Sequence, residues 1–515
     1  MKKNLTFRLV LPVLSILYCG YVYPQAGKID SLFSTPGYLN GGILVAEKGR
    51  VLFQKSYGYG DFKTREPVSN GSRFQSASVS KIFTSCAVLK LVDSRKIKLA
   101  DAFSKYFPGF PYKTVTIRHL LSHTSGLPDA EIYDSLIALE PGRVIMNADL
   151  LPALTVQAPP LHFIPGSKFE YCNTGYQLLA LLVEKIARAG FADYLQKNIF
   201  APCGMKNSYL RDNRLPVKDP LAVKNNITYP MYAVTPQDVD SIAETSTSLF
   251  LQRLHYDNYI MGATYGDQNI ITTPSDLLNF NTYFFEGKVI SLPLVREAVK
   301  PLILNDGKVY SENNMALGGE GSSYGLGWEV HVAGNEIIAG HSGYNRGILC
   351  QYYTNVTKKQ FVIMFDNTEG YGFVQKLLNV AAILQGKQPQ AVDMRKSVAR
   401  YFGYDLLHGT AADALIHFNE MKMDTGSYVF AGQGMNNLGY DFLRNGYSEF
   451  ALEVFKMNIL FFPDDYNRYD SYADALALCG KKEEAIAMYK KSLALQPGNE
   501  ESRTKLEKLI SEPRK

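Results

Sequence analysis

Two short runs between Gly41 and Asp61, "ILVAE" and "VLFQKSYG", flank Lys48-Gly49-Arg50. Strand-like runs on either side of a glycine turn predict a β-hairpin. From Ser80 to about Val92 the period changes, and Ile82, Phe83, Ala87, Val88 and Leu91 recur at helical spacing. A long mixed stretch rich in Pro, Gly and Tyr follows. Strand character returns at about Tyr324, where "YGLGWEV", "NEIIAGHSG", "GILCQYYTN" and "KQFVIMFDN" read as consecutive antiparallel strands. Strands at both ends with helices between predict one α+β domain over about 27–388, with the first hairpin and the last strands in one sheet.

The tail follows another rule. Residues 431–510 repeat with a period of 34: Gly446 returns as Gly480, Ala451 as Ala485, Phe455 as Tyr489 and Pro463 as Pro497. This register resembles the tetratricopeptide repeat, a helix-turn-helix unit of that length. Glycine ends the first helix, alanine lets the pair pack closely, and proline follows the second. The resemblance implies a small α-helical repeat domain over 431–511, with 389–430 as linker. "AADALIHFNEMK" (411–422) is expected to add a helix that completes the stack. Such a tail serves either as a stabilising cap or as a groove for a protein partner, and both readings stand.

The first residues read as a secretory signal. Lys2, Lys3 and Arg8 precede an almost wholly apolar run from Leu9 to Cys19. That run is short of the roughly 20 residues a membrane span needs. A signal peptide over 1–26, cleaved near Gln25 or Ala26, places the protein outside the cell or in a periplasm. The rival reading is a lipoprotein acylated at Cys19. No later segment reads as a transmembrane helix.

Composition narrows the picture further. Of 515 residues, 46% are apolar and 20% charged, ordinary for a globular chain with ample core. A formal charge of +5 gives no reason to invoke nucleic acid. Six dispersed cysteines without a CxxC pair form neither a disulfide framework nor a zinc site. His119 and His123 stand at i and i+4, but no metalloprotease Glu lies between them, so a structural role is expected and no metal or cofactor is called for.

Chemistry enters at "FQSASVSKIFTS" (74–85), where Ser78 and Lys81 stand three residues apart at a helix start. The plain structural reading is an N-cap by Ser76 or Ser78. The chemical reading is a nucleophile beside its base, since residues i and i+3 share a helix face. A desolvated lysine has a lowered pKa and can take a serine proton. Free N–H groups at the helix start could help to bind an oxyanion.

Two further segments support the chemical reading. "FEYCNTGY" (169–176) holds Tyr171 and Asn173, and "GHSGYNRG" (340–347) holds His341 and Gly343. Ser78-Val79-Ser80-Lys81, Tyr171-Cys172-Asn173 and His341-Ser342-Gly343 resemble, in order, the S-x-x-K, Y-x-N and K/H-x-G motifs of the serine β-lactamase and penicillin-binding-protein superfamily, in its class C-like branch. "LLSHTSGLPD" (120–129) also resembles a family segment. Tyr256-Asp257-Asn258 and Tyr353-Thr354-Asn355 match Y-x-N too, but only Tyr171 stands in the right context.

The resemblance covers roughly 30–385 and implies a β-lactamase/transpeptidase-like fold, an antiparallel sheet flanked by helices plus a helical lobe, with the site between them. It implies that Ser78 attacks a carbonyl and forms an acyl-enzyme, with Lys81 and Tyr171 as a proton-relay pair. Nearby ammonium groups would favour the Tyr171 phenolate. Asn173 would orient Lys81 and the substrate, and the backbone N–H groups of Ser78 and Tyr344, next to Gly343, would form the oxyanion hole. His341 stands where many relatives have a lysine that holds a substrate carboxylate; Arg346 could supply that charge instead. The expected activity is that of a secreted serine hydrolase acting on a D-amino-acid peptide, a small ester or amide, or, third, a β-lactam. The alternative is a non-catalytic binding or scaffold protein that uses the fold for a ligand and the tail for protein partners.

Overall fold

The computed structural model describes residues 24–35, 38–61, 64–140, 143–212, 219–223, 263–345, 347–367, 372–393, 395–444 and 446–511. Residues 1–23 of the expected signal segment, Cys19 among them, the Tyr256–Asn258 triplet and Arg346 lie outside the described residues.

Eight antiparallel strands make the central sheet: β1 (Gly41–Glu47), β2 (Arg50–Tyr57), β3 (Glu312–Asn314), β4 (Gly319–Tyr324), β5 (Glu329–Ala333), β6 (Glu336–Asn345), β7 (Ile348–Asn355) and β8 (Gln360–Asp366). Their order is β2-β1-β8-β7-β6-β5-β4-β3. The first hairpin therefore joins the last strands, through a β1–β8 register running from Gly41 opposite Asp366 to Glu47 opposite Gln360. Period-two alternation sorts the side chains. Leu44 and Ala46 of β1, with Phe361, Ile363 and Phe365 of β8, face the large core shared with the helical lobe. Ile43 and Val45, with Val362 and Met364, face a second layer. That layer is built by helices α1 (Pro24–Phe33) and α5 (Phe373–Leu384).

Between sheet and lobe runs α2 (Ser80–Asp93), alongside α3 (Asn173–Ala187) and α4 (Pro274–Phe285). The periodicity of α2 suggests one polar face, but Ser80, Lys81, Thr84 and Ser85 are as buried as Ile82 and Phe83. Each polar group has a partner, as a buried one needs. Ser80 Oγ accepts from the Ile270 N–H at 3.1 Å, Thr84 Oγ1 donates to the Gly266 carbonyl at 2.6 Å, and Ser85 donates to the Leu326 carbonyl. The polar stripe thus clamps two chain segments, 266–270 and the one at Leu326, to one helix.

"YGLGWEV" is not one strand. It breaks into the end of β4 and the start of β5, with Gly327 at φ +84° between them. A Cβ there would lie 2.5 Å from Ser85 Cβ, so the turn can press on α2 only as glycine. Trp328, fully buried, anchors the turn against Phe284 and Phe285 of the α4 segment, at centroid distances of 5.0 and 5.4 Å.

Beyond the sheet the chain is helical: α6 (Val398–His408), α7 (Ala411–Met423), α8 (Gly432–Arg444), α9 (Ser448–Phe461), α10 (Tyr466–Leu478), α11 (Lys482–Leu495) and α12 (Glu500–Ser511). Their apolar residues form a third core cluster, around Phe402, Phe418, Phe442 and Phe455. Gly446 and Gly480 take matching left-handed conformations, φ +79° and +76°. The expected linker contains α6, which the periodicity had not singled out, packed with α7.

Candidate active site

Ser78 occupies a single 3-10 turn, Ala77–Val79, that runs directly into α2. Ser76 makes no capping bond there; its Oγ donates to the Ile270 carbonyl at 2.9 Å instead. The N-cap reading therefore gives way to a turn pinned from the side. Ala77 sits at φ +44°, a region that costs an L-residue about 1–2 kcal/mol. Such strain is held only where surrounding contacts over-determine the backbone.

Lys81 has no exposed surface. Its Nζ donates to Ser78 Oγ at 3.2 Å, Asn173 Oδ1 at 2.8 Å and the Asp267 carbonyl at 3.1 Å. Burial lowers its pKa to about 8, against the opposing pull of Asp267, Asp129 and Glu329. Tyr171 lies beside it, with its ring centroid 4.8 Å from Nζ. Its ring keeps 38% of the residue's surface open to the cleft, while its hydroxyl interacts with Ser78. Burial around the hydroxyl raises its pKa well above 10; Ser78 opposes the rise, and Glu329 and Asp267 add to it. The expectation of a favoured phenolate is thus corrected. The fixed charges that act on this tyrosine include the Glu329 and Asp267 carboxylates, which disfavour the phenolate.

Asn173 opens α3. Its amide is held by Asp129, which also caps the helix: Oδ1 accepts from the Asn173 and Thr174 N–H groups at 2.7 and 2.9 Å, and Oδ2 from Asn173 Nδ2 at 2.9 Å. With the NH2 group so engaged, Asn173 Oδ1 can only turn to Lys81. His123 backs the same segment. At φ +56°, it accepts the Cys172 N–H on Nδ1 at 3.0 Å and stacks on Tyr171 at 4.3 Å. His119, its helical neighbour, closes a capping box with Thr116. The two histidines thus serve separate structural tasks.

The third segment lies on β6. Pairing of β5 with β6 ends at Glu329–Gly340, so His341–Asn345 borders the cleft rather than a strand on that side. Glu329 Oε1 takes over, accepting from the Ser342 N–H at 3.0 Å and its hydroxyl at 2.6 Å. A Cβ on Gly343 would lie 2.5 Å from the Ser76 carbonyl oxygen; its absence lets β6 press against the Ser78 turn. Tyr344 follows on the same strand and lines the cleft. His341 is buried, with Nε2 3.0 Å from the Tyr324 hydroxyl and Nδ1 2.7 Å from the Ser342 carbonyl. Burial lowers its pKa, Glu329 opposing and Lys81 adding. A neutral imidazole with both nitrogens engaged is no anchor for a carboxylate.

These segments enclose a cleft of about 630 Å³. Ser78, Tyr171, Asn173, His341 and Tyr344 line it, so the motif residues, far apart in sequence, converge on one cavity. Its wall also carries Asp129, Asp267, Glu312 and Glu329, and no Lys or Arg among the described residues. Sequence reasoning did not single out these carboxylates. Asp129 stood at the end of a quoted motif, whereas Asp267 and Glu312 come from a region without a legible pattern.

A serine with a buried lysine 3.2 Å from its hydroxyl, on an antiparallel sheet packed against a helical lobe, is the arrangement of a serine hydrolase. Residues 29–385, well over half of the chain, match the Beta-lactamase family, and the chain belongs to it. It is a serine hydrolase by class. It is 29% identical to a penicillin-binding protein of Bacillus subtilis over 401 residues, 75% of this chain and 84% of that one. It is 27% identical to a D-aminopeptidase of Brucella anthropi over 367 residues, 71% of this chain and 63% of that one. The crystal structure of a penicillin binding protein from Bacillus halodurans superposes with a TM-score of 0.55 at 23% identity, covering 70% of this chain and 99% of that one, a likeness of fold.

Proposed function

We propose that the protein cleaves amide or ester bonds through an acyl-Ser78 intermediate, outside the cell or in a periplasm. The observation that carries the reading is the 3.2 Å approach of Lys81 Nζ, its pKa lowered to about 8, to Ser78 Oγ. In its neutral form Lys81 takes the Ser78 proton as Oγ bonds to the substrate carbonyl carbon. The developing oxyanion is held by the backbone N–H groups of Ser78 and Tyr344. Collapse breaks the bond to the leaving group, which receives a proton through Tyr171 and Lys81. Water then attacks the Ser78 ester, the same groups taking its proton, and the acid product leaves. Asn173 keeps Lys81 aimed and offers its amide edge to the substrate.

Peptides of D-amino-acid type and small amides or esters are the proposed substrates, with β-lactams behind them. Support comes from the penicillin-binding-protein and D-aminopeptidase relatives, and from His341, which is not a cationic anchor. Secretion is supported by the charged and apolar order of residues 2–19. The test is to label the mature protein with a fluorophosphonate, map the adduct, and repeat after preincubation with a penicillin. An adduct on Ser78 supports the mechanism. Protection by penicillin moves the substrate toward cell-wall peptides, and lack of protection toward esters and aminopeptidase-type amides. No adduct on Ser78 removes the mechanism and returns the binding-protein alternative.

A further inference from the structure

Asp267 is tied to the reacting centre through its backbone. Its carbonyl accepts from Lys81 Nζ at 3.1 Å, and the same Nζ lies 3.2 Å from Ser78 Oγ. Asp267 belongs to the wall of the cleft and is only 5% exposed. Gln177 is its side-chain partner, and Gln177 Oε1 is already taken by the Tyr133 hydroxyl at 2.6 Å, so Gln177 offers its NH2 group. Asp267 Oδ1 has no hydrogen-bond partner among the described residues. A buried acceptor of this kind is a loss that a ligand can make good.

The other carboxylates of the wall are engaged. Asp129 caps α3 and holds Asn173, Glu329 holds Ser342 and Asn314, and Glu312 accepts from the Tyr310 hydroxyl at 2.8 Å. Together with the lack of Lys or Arg among the described lining residues, this makes the cleft hostile to a substrate carboxylate and receptive to a cation.

We propose that Asp267 Oδ1 receives the protonated α-amino group of an aminoacyl substrate, so that the cleft takes amides, esters or peptides with a free amino terminus ahead of their N-acylated counterparts. An α-ammonium is one carbon from the scissile carbonyl, and Asp267 is the residue whose backbone carbonyl is joined to Ser78 Oγ through Lys81 Nζ. The inference rests on the acyl-serine reading and assigns that site its substrate class.

The test is a protection assay on the full mature chain, which reads binding whether or not turnover is fast. Ser78 labelling by a fluorophosphonate is timed with D-alanine amide and D-phenylalanine amide as competitors, and with their N-acetyl twins. In wild type, the free amines should protect at concentrations about tenfold or more below the acetylated twins, and Asp267→Asn should erase that advantage. Equal protection by each pair in wild type, or an advantage that survives Asp267→Asn, overturns the proposal. Labelling of Ser78 in the variant without competitor shows that its site is intact. If Ser78 does not label even in wild type, it is the acyl-serine reading that has failed. If it labels but free amines hold no advantage, that reading stands and only the amine site is lost.

Discussion

Among the described residues two lysines are buried, each pushed by desolvation to a pKa of about 8. Lys81 lies on the cleft side of the sheet, where three acceptors surround its ammonium group. Lys376, on α5 in the opposite layer, has its Nζ 4.9 Å from the Tyr38 ring centroid and no hydrogen-bond partner among the described residues. The Asp366 charge opposes that lowering. By titration alone the two are twins. What separates them is geometry: one is 3.2 Å from a hydroxyl beside a cavity, the other faces a packed apolar layer. A depressed lysine pKa therefore marks burial, and becomes a base only where a proton donor and room for a substrate meet it.

The largest test of this contrast is Ser78→Ala. It should lower ester hydrolysis by at least about 10³-fold and abolish the fluorophosphonate adduct, read by intact-protein mass spectrometry. Next stands the pair Lys81→Met and Lys376→Met. The first should cost about 10²–10⁴ in kcat. The second should leave kcat/KM within about twofold and show its effect in a thermal melt instead, because Lys376 is not among the cleft-lining residues and its loss takes a counter-charge from the buried Asp366. Equal losses of activity in both would erase the distinction drawn here.

Smaller effects come from the residues that aim the site. Gly343→Ala forces the Ser78 turn away from β6 and should destabilise by about 1–3 kcal/mol with a fall in kcat. Asp129→Ala removes the cap of α3 and frees the Asn173 amide, costing about 0.5–2 kcal/mol in a denaturant melt and lowering kcat more than it raises KM. The mildest is a pH shift. In the proposed mechanism Lys81 acts in its neutral form, so kcat/KM for a neutral ester should climb with pH to a plateau above about 8. Asp267→Asn deletes a charge that raises the Lys81 pKa, so the rising limb should move to lower pH. A limb that stays put or moves up would separate Asp267 from Lys81.

Local pattern made much of this legible in advance. The hairpin at Gly41–Tyr57, the strands from β6 to β8, α2 and the helical tail all follow from period and turn residues, because those signals are written in consecutive positions. Ser78, Lys81, Tyr171, Asn173, His341 and Gly343 were legible because each sits in a short motif. Other features were not. Ser80, Thr84 and Ser85 look like a solvent face, and only the segments folded over them show that they are buried clamps.

The sequence by itself determined which groups are available for chemistry, a serine and a lysine three residues apart on one helix turn with a tyrosine and an amide to meet them, since a helix of this handedness puts i and i+3 on one face whatever surrounds it. Only the tertiary structure decided their charge and aim. Desolvation and the field of Asp129, Asp267 and Glu329 depend on atoms brought together from positions 129 to 329, and no local pattern records which carboxylate is engaged and which keeps an unpartnered oxygen at the cleft wall.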